Sequence, residues 1–324
     1  MLSLIRVFCC FGLLALPAIA AAQDFPSRPI KLIVPFPPGG PTDTIARVVG
    51  QRMSEILGQP VLIDNRGGAG GVLGTDVVAK AEPDGYTIAM TSLGALAISA
   101  SLQEKMPYDA TKDFKAITLV AKVPEVLVVA ASVPASTMSE LIAVAKARPG
   151  QLNFASTGHG SLPHLAGELL KIGANVDIVH VPYRGGPLVL NDLLGQQVQM
   201  AFLDLPVVLP HVQSGKLKPI AVSSKARVPA LKEVPTTAEA GFPQIEAENW
   251  YGMVAPGATP SIVVAKLNKA AVEALNAPDV QEKLSSHGTI LVGNTPEEFA
   301  AYIGREIEKW RKVARTAGVK PNPN

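Results

Sequence analysis

Hydroxyls, an imidazole and two glycines gather in one short run, Ser156-Thr157-Gly158-His159-Gly160-Ser161-Leu162-Pro163. Ser156 or Ser161 with His159 would supply a nucleophile and a base, which is the chemistry of a hydrolase. Neither serine stands in Gly-x-Ser-x-Gly, the strand-to-helix elbow that exposes such a nucleophile. The same groups can instead donate hydrogen bonds to an anion, or cap the helix that begins around Pro163. For a metal, His159 and His164 are five apart with Pro163 between them, not the four that put two ligands on one helical face. His180, His211 and His287 are scattered along the chain and read as ordinary surface or satisfied histidines. No catalytic residue, metal or cofactor is expected.

A second run, Pro35-Phe36-Pro37-Pro38-Gly39-Gly40-Pro41-Thr42-Asp43, follows the apolar stretch Ile30 to Val34. After it, Ile45, Val48, Val49, Met53, Ile56 and Leu57 recur at helical spacing, so the run is a strand-to-helix turn. Its prolines stiffen it, Gly39 and Gly40 let it bend, and Thr42 or Asp43 can cap the helix. A helix start offers unpaired N–H groups and partial positive charge, which suits a carboxylate. A third turn, Pro182-Tyr183-Arg184-Gly185-Gly186-Pro187, carries the one guanidinium among the three.

Binding rather than reaction fits these groups. Amides at Gly39, Gly40, Gly158 and Gly160, with hydroxyls of Thr42, Ser156 and Thr157, can ring a carboxylate. Hydrogen bonds to an ionised acceptor are about twice as strong as neutral ones. Arg184 can pair with a distal acid group of the ligand or with Asp204. Asp43 and Asp204 either cap helices or accept from a ligand hydroxyl, amine or water, capping being preferred for Asp43. Phe36 and Tyr183 offer apolar walls. Ser92, at the end of the strand Tyr86 to Thr91, either reaches the ligand or caps.

The elements that must position these turns alternate as strand, turn and helix, which predicts an α/β protein with largely parallel sheets. Ligands in such sheets sit at the carboxyl ends of strands. Lys115–Val120 and Val126–Ala131 read as two strands, and Leu152–Ala155, Ile178–Val181, Gln199–Leu203 and Trp250–Pro256 as further ones. Thr137 with Glu140, and Thr295 with Glu298, are capping boxes. Phe299, Ile303, Ile307, Trp310 and Ala314 line one face of the last helix, a packing face. The run Asn65 to Gly74 is rich in glycine but lacks the dinucleotide spacing and the Lys-Ser/Thr of a P-loop.

Composition sets the compartment. At 324 residues, 48% hydrophobic and 17% charged, the chain is a globular protein with ample core. Residues 1–22 combine Arg6, an apolar run from Val7 to Leu16, Pro17 and Ala20-Ala21-Ala22, the pattern of a signal peptide cleaved near Ala22. Both cysteines, Cys9 and Cys10, lie within it, so the exported chain has no disulfide or thiolate chemistry. A large cysteine-free exported chain suits a periplasm. Arg6 is the one charge of the leader, so 28 basic residues face 27 acidic ones afterwards. That balance leaves no footprint for nucleic acid.

The ordered set of Pro35 to Asp43, Asp64 to Gly71, Pro83-Asp84-Gly85-Tyr86-Thr87, His180 to Gly185 and Trp250-Tyr251-Gly252 resembles the Bug-type solute-binding proteins. These are the extracytoplasmic components of tripartite tricarboxylate transporters, and the resemblance spans the chain beyond its leader. It implies a two-domain Venus flytrap, a type II-like periplasmic-binding-protein fold. One domain is expected from residues 23–124 plus 248–324 and the other from 125–247. It further implies a monomer that binds a carboxylate in the interdomain cleft and hands it to membrane permease subunits. Delivery of ligand occupancy to a membrane receptor kinase would need the same cleft.

Overall fold

Four of the five residues of β1 (Ile30–Val34) are buried, in a computed structural model that describes residues 25–103, 105–285 and 288–319. The expected leader with its cleavage point, Cys9 and Cys10, and His287 lie outside the described residues. α1 (Pro41–Leu57) follows the first turn and stops at Gly58, whose φ of 66° needs no Cβ to be accommodated. β2 (Val61–Asn65) runs parallel to β1. The glycine-rich run then forms a tight turn into α2 (Val72–Ala79). A Cβ on Gly74 would stand 2.3 Å from the Arg66 carbonyl oxygen and 2.7 Å from Pro35 Cα. The glycine there allows a helix to touch the end of β1, as a helix start packed on a strand requires.

β3 (Thr87–Ser92) lies on the other side of β1, again parallel. A π-helical turn, Gly94–Ile98, leads from it into α3 (Ser99–Leu102), a segment the periodicity of the sequence does not announce. β4 (Phe114–Ala130) corrects the expected pair of strands, because Lys122-Val123-Pro124-Glu125 stays extended between them. Pro124 has no N–H to give a ladder. It sits where none is missed, at the point where β4 leaves one partner strand for two others.

The alternation resumes with α4 (Met138–Ala147), opened by the Thr137–Glu140 capping box, and β5 (Asn153–Ser156). Then come α5 (Leu162–Ala174), β6 (Val179–Pro182), α6 (Gly186–Leu194), β7 (Met200–Asp204), α7 (Leu205–Gln213) and β8 (Leu217–Val222). The chain returns through β9 (Glu248–Pro256) to α8 (Ser261–Leu275), α9 (Pro278–Ser285), β10 (Ile290–Leu291) and α10 (Pro296–Thr316).

The strands form one ten-stranded network in the order β2-β1-β3-β9-β4-β7-β5-β6, with β8 and β10 also on β4. Among these ten strands, parallel pairing joins β1 to β2 and β3, and β5 to β6 and β7. The long strands β4 and β9 are antiparallel to all their partners, which corrects the expectation of largely parallel sheets. Residues 114–124 of β4 pair with β9, and residues 125–130 pair with β7 and β8. α10 lies against β4 and α3. The five apolar residues expected to face inward from α10 are all buried. Glu306 is buried among them, and its Oε2 accepts from the indole N–H of Trp250 (3.2 Å) and of Trp310 (3.0 Å).

Candidate functional site

In the first turn, Gly40 is the residue before α1, and Thr42 and Asp43 lie inside its first turn. Asp43 therefore does not cap by position. Its carboxylate reaches back instead and accepts from the Gly39 N–H (2.9 Å), from Arg47 Nε (2.9 Å) and from Asn65 Nδ2 (2.9 Å). Burial works against the charge, but those three bonds outweigh it and hold Asp43 below the usual carboxylate range. The bond to Gly39 uses up an amide that the sequence offers to a ligand. Those of Thr42 and Asp43, at the helix start, precede any acceptor within α1. The Phe36 ring lies against Gly71, where a Cβ would come within 2.9 Å of Cζ.

The second turn is also held from within. Ser156 is fully buried, and its Oγ lies 2.6 Å from His180 Nε2. The Ser156 hydroxyl also meets the carbonyl (2.9 Å) and the N–H (3.2 Å) of Gly158. Gly160 donates its N–H to His164 Nδ1 (2.9 Å), and Ser161 caps α5. Gly158 (φ 136°) and Gly160 (φ 71°) thus contribute their backbone freedom more than spare amides. Thr157 is half-buried beside them. This corrects the reading of scattered histidines. The parallel β5–β6 register sets His180 opposite Phe154, and the chemically competent atoms of His159, His164 and His180 lie within 4.8 Å of one another.

The His164 and His180 rings are stacked, with centroids 3.8 Å apart and planes 12° from parallel. Flat stacking aims ring nitrogens past each other, whereas a shared metal needs them to converge in the ring planes. Burial first, then the charge that His180 and His159 would carry, pushes His164 down to about 3. Burial and then His159 push His180 down to about 4.

The third turn adjoins the second, since the Tyr183 N–H donates to the Ser156 carbonyl (3.0 Å). Tyr183 is no plain apolar wall. Its hydroxyl donates to Asp192 Oδ2 (2.7 Å), and burial followed by that carboxylate raises it to about 12. Arg184 is exposed, and the partners found for Asp204 are Tyr251 and Asn249 rather than Arg184.

Asp204 belongs to a polar group that sequence reasoning found only in part. Ser92 on β3 stands opposite Tyr251 on β9. The Tyr251 hydroxyl donates to Asp204 Oδ2 (3.0 Å) and accepts from Asn249 Nδ2 (2.9 Å), and the Thr42 side chain lies near it. Glu125 stands opposite Asp204 in the β4–β7 pair. Asp204 at the end of β7 thus bonds a phenol that Thr42 of the first turn lies near. Glu125, Asn249 and Tyr251 were missed. Their signal was a lone acid in the apolar run Val126 to Ala130 that it precedes, and the strand alternation that puts Asn249 and Tyr251 on one face.

Burial first, then the charge of Asp204, raises Glu125 well above the usual range. Burial raises Asp204 to about 6, against the pull of the Tyr251 and Asn249 bonds. Part of the Asp204 surface remains open even though protein surrounds it on most sides. The site also touches α3, since a Cβ on Gly160 would come within 2.6 Å of Leu102 Cδ1. Two shallow surface depressions, beside Lys146 and Lys171 and beside Lys112 and Pro256, are lined by none of these residues.

A family model described as "Tripartite tricarboxylate transporter family receptor" matches residues 45–319. The chain belongs to this family. Protein BugT of Bordetella pertussis is 40% identical over 322 residues, covering 99% of this chain and 98% of BugT. Rpa4515 of R. palustris, solved with adipate, is 37% identical with a TM-score of 0.86, covering 92% of this chain and 100% of that one. MatC from Rhodopseudomonas palustris, solved with bound malate, is 34% identical with a TM-score of 0.82, covering 89% of this chain and 99% of that one. The tripartite tricarboxylate transporter receptors are solute-binding proteins, and the α/β fold described above is theirs.

Proposed function

We propose that this receptor captures a small organic acid in a cleft between two lobes, residues 23–124 plus 248–324 and residues 125–247. The lobes meet where β4 and β9 cross. The ligand carboxylate rests against the start of α1, near Thr42, and against the turn from Ser156 to Gly160. The observation that carries this reading is the phenol of Tyr251, a residue of the first lobe, which donates to Asp204 of the second at the crossing strands. Adipate and malate, the ligands of two solved relatives, are both carboxylates.

The protein works in the periplasm as a monomer, exported by residues 1–22, and passes its ligand to membrane permease subunits. It is not an enzyme. The buried Ser156 and its bonds to His180 and Gly158 support a structural serine, closed to a substrate.

A melting-shift screen of the purified protein against organic acids and neutral sugars tests the reading. A ligand at about 100 times its Kd adds about 2.7 kcal/mol, a shift easily seen. Stabilisation by at least one organic acid is expected. Stabilisation by sugars alone would sink the proposal.

A further inference from the structure

Strand alternation divides the crossing strands into two faces. Trp250 turns toward α10, where it bonds Glu306, while Asn249 and Tyr251 turn the other way with Asp204. Glu125 is 2% exposed, and its Oε2 has no hydrogen-bond partner. Asp204 opposite it has one firm donor, the Tyr251 hydroxyl at 3.0 Å, with Asn249 Nδ2 standing off at 3.4 and 3.5 Å. None of the lysine or arginine ion pairs among the described residues includes either acid.

A carboxylate can accept about four hydrogen bonds, so the pair is short of donors. The protein around it has few left to give. The Tyr251 oxygen already receives from Asn249 and gives its proton to Asp204. Yet Asp204 is not sealed off, because part of its surface is open. A buried acceptor without a donor calls for one from outside the chain, and Asp204, its neighbour in register, keeps part of its surface open.

We propose that Asp204 and Glu125 are specificity residues that receive a hydrogen-bond donor, an ammonium or a hydroxyl, borne by the carboxylate ligand. This rests on the reading of the cleft given above. A ligand that brings only carboxylate oxygens to this corner meets like charge and unpaired acceptors. A ligand with a donor beside its acid group completes the set. The selected class is therefore amino or hydroxy carboxylic acids rather than plain di- or tricarboxylates.

Calorimetric titration with skeleton-matched ligands tests it: succinate, malate and aspartate, then adipate, 2-hydroxyadipate and 2-aminoadipate. In at least one set, a donor-bearing acid is expected to bind tenfold or more tightly than the plain acid. A lead for the amino acid identifies ammonium as the donor, and a lead for the hydroxy acid identifies hydroxyl. Asp204→Asn or Glu125→Gln should cut that preference at least fivefold. If Asp204→Asn fails to fold, Glu125→Gln, which leaves the bonds of Asp204 in place, carries the comparison.

The proposal is overturned if the plain acid binds as well as its donor-bearing partners wherever binding is seen. It is overturned too if the preference survives in the folded variants. Absence of binding by every organic acid would be a different failure, that of the cleft reading itself.

Discussion

Glu125 and Asp204 face each other across the antiparallel β4–β7 pair, two acids at one register position beside a single phenol. Like charges directly opposite one another in a sheet destabilise it. A proton on the pair relieves that cost, increasingly as pH falls. Burial and then Asp204 raise Glu125 well above its ordinary value of 4.5, and burial raises Asp204 from 3.8 to about 6.

This sets the sign of a pH effect. Between the unfolded values near 4 and the raised folded ones, the native chain holds more protons than the unfolded chain. Stability from this pair therefore falls as pH rises through about 4 to 6 and beyond. Glu125→Gln is expected to melt close to the native protein at pH 4 and above it at pH 8. Thermal denaturation at the two pH values checks this, and a gap that does not change with pH would contradict it.

The stacked histidines act in the opposite sense. Folded values of about 3 for His164 and about 4 for His180 lie below the ordinary 6.5. Stability from these rings is intact above pH 6.5 and is lost as pH falls from there toward 4 and 3. His180→Gln keeps a side chain able to meet Ser156 and removes one titrating ring. It should flatten the acid limb of a plot of Tm against pH. Parallel acid limbs for the variant and the native protein would show that His180 carries none of the loss.

Thr42→Ala and Ser156→Ala probe the two turns proposed to grip the ligand. The first removes a hydroxyl at the start of α1, and the second unties the bend between β5 and α5. Each should weaken binding of the best organic acid by roughly 0.5–3 kcal/mol. Calorimetry is the check, and unchanged affinity in both would place the site elsewhere.

Glu306 makes a prediction about stability alone. Its Oε2 holds two buried indole N–H groups, so Glu306→Ala leaves both without an acceptor. Each orphaned donor costs about 1–3 kcal/mol, and the urea midpoint should fall accordingly. Glu306→Gln keeps an amide oxygen in place and should lose much less. Equal losses in the two variants would mean that the charge, and not the acceptor, matters.

Much of the framework was legible in the chain itself. The apolar run before Pro35, the αL stop at Gly58, and the capping boxes at Thr137 and Thr295 appear where their chemistry predicts. These are local features, settled by a few neighbouring residues and the geometry of one turn. The π-helical turn at Gly94–Ile98 was not legible, because small apolar residues there suit several helical forms and only packing chooses among them. The continuity of β4 through Pro124 was hidden for a similar reason. A proline ends a strand only when a partner requires its N–H, and the partners come from residues 200–256.

The candidate site divides along the same line. Turn positions such as Gly39, Thr42, Ser156 and Gly160 follow from residue type and spacing alone. Their partners do not: Ser156 meets His180 through the register of β5 and β6, and Tyr251 of β9 meets Asp204 of β7, residues far apart in the chain. Sequence by itself determined most of the helices and strands, their caps and the family, because these rest on local chemistry and on an ordered set of motifs. Tertiary structure decided which amides are already spent, which imidazoles stack and which acids share a corner. Those outcomes depend on strand register and crossing, which are long-range pairings that no short stretch of residues encodes.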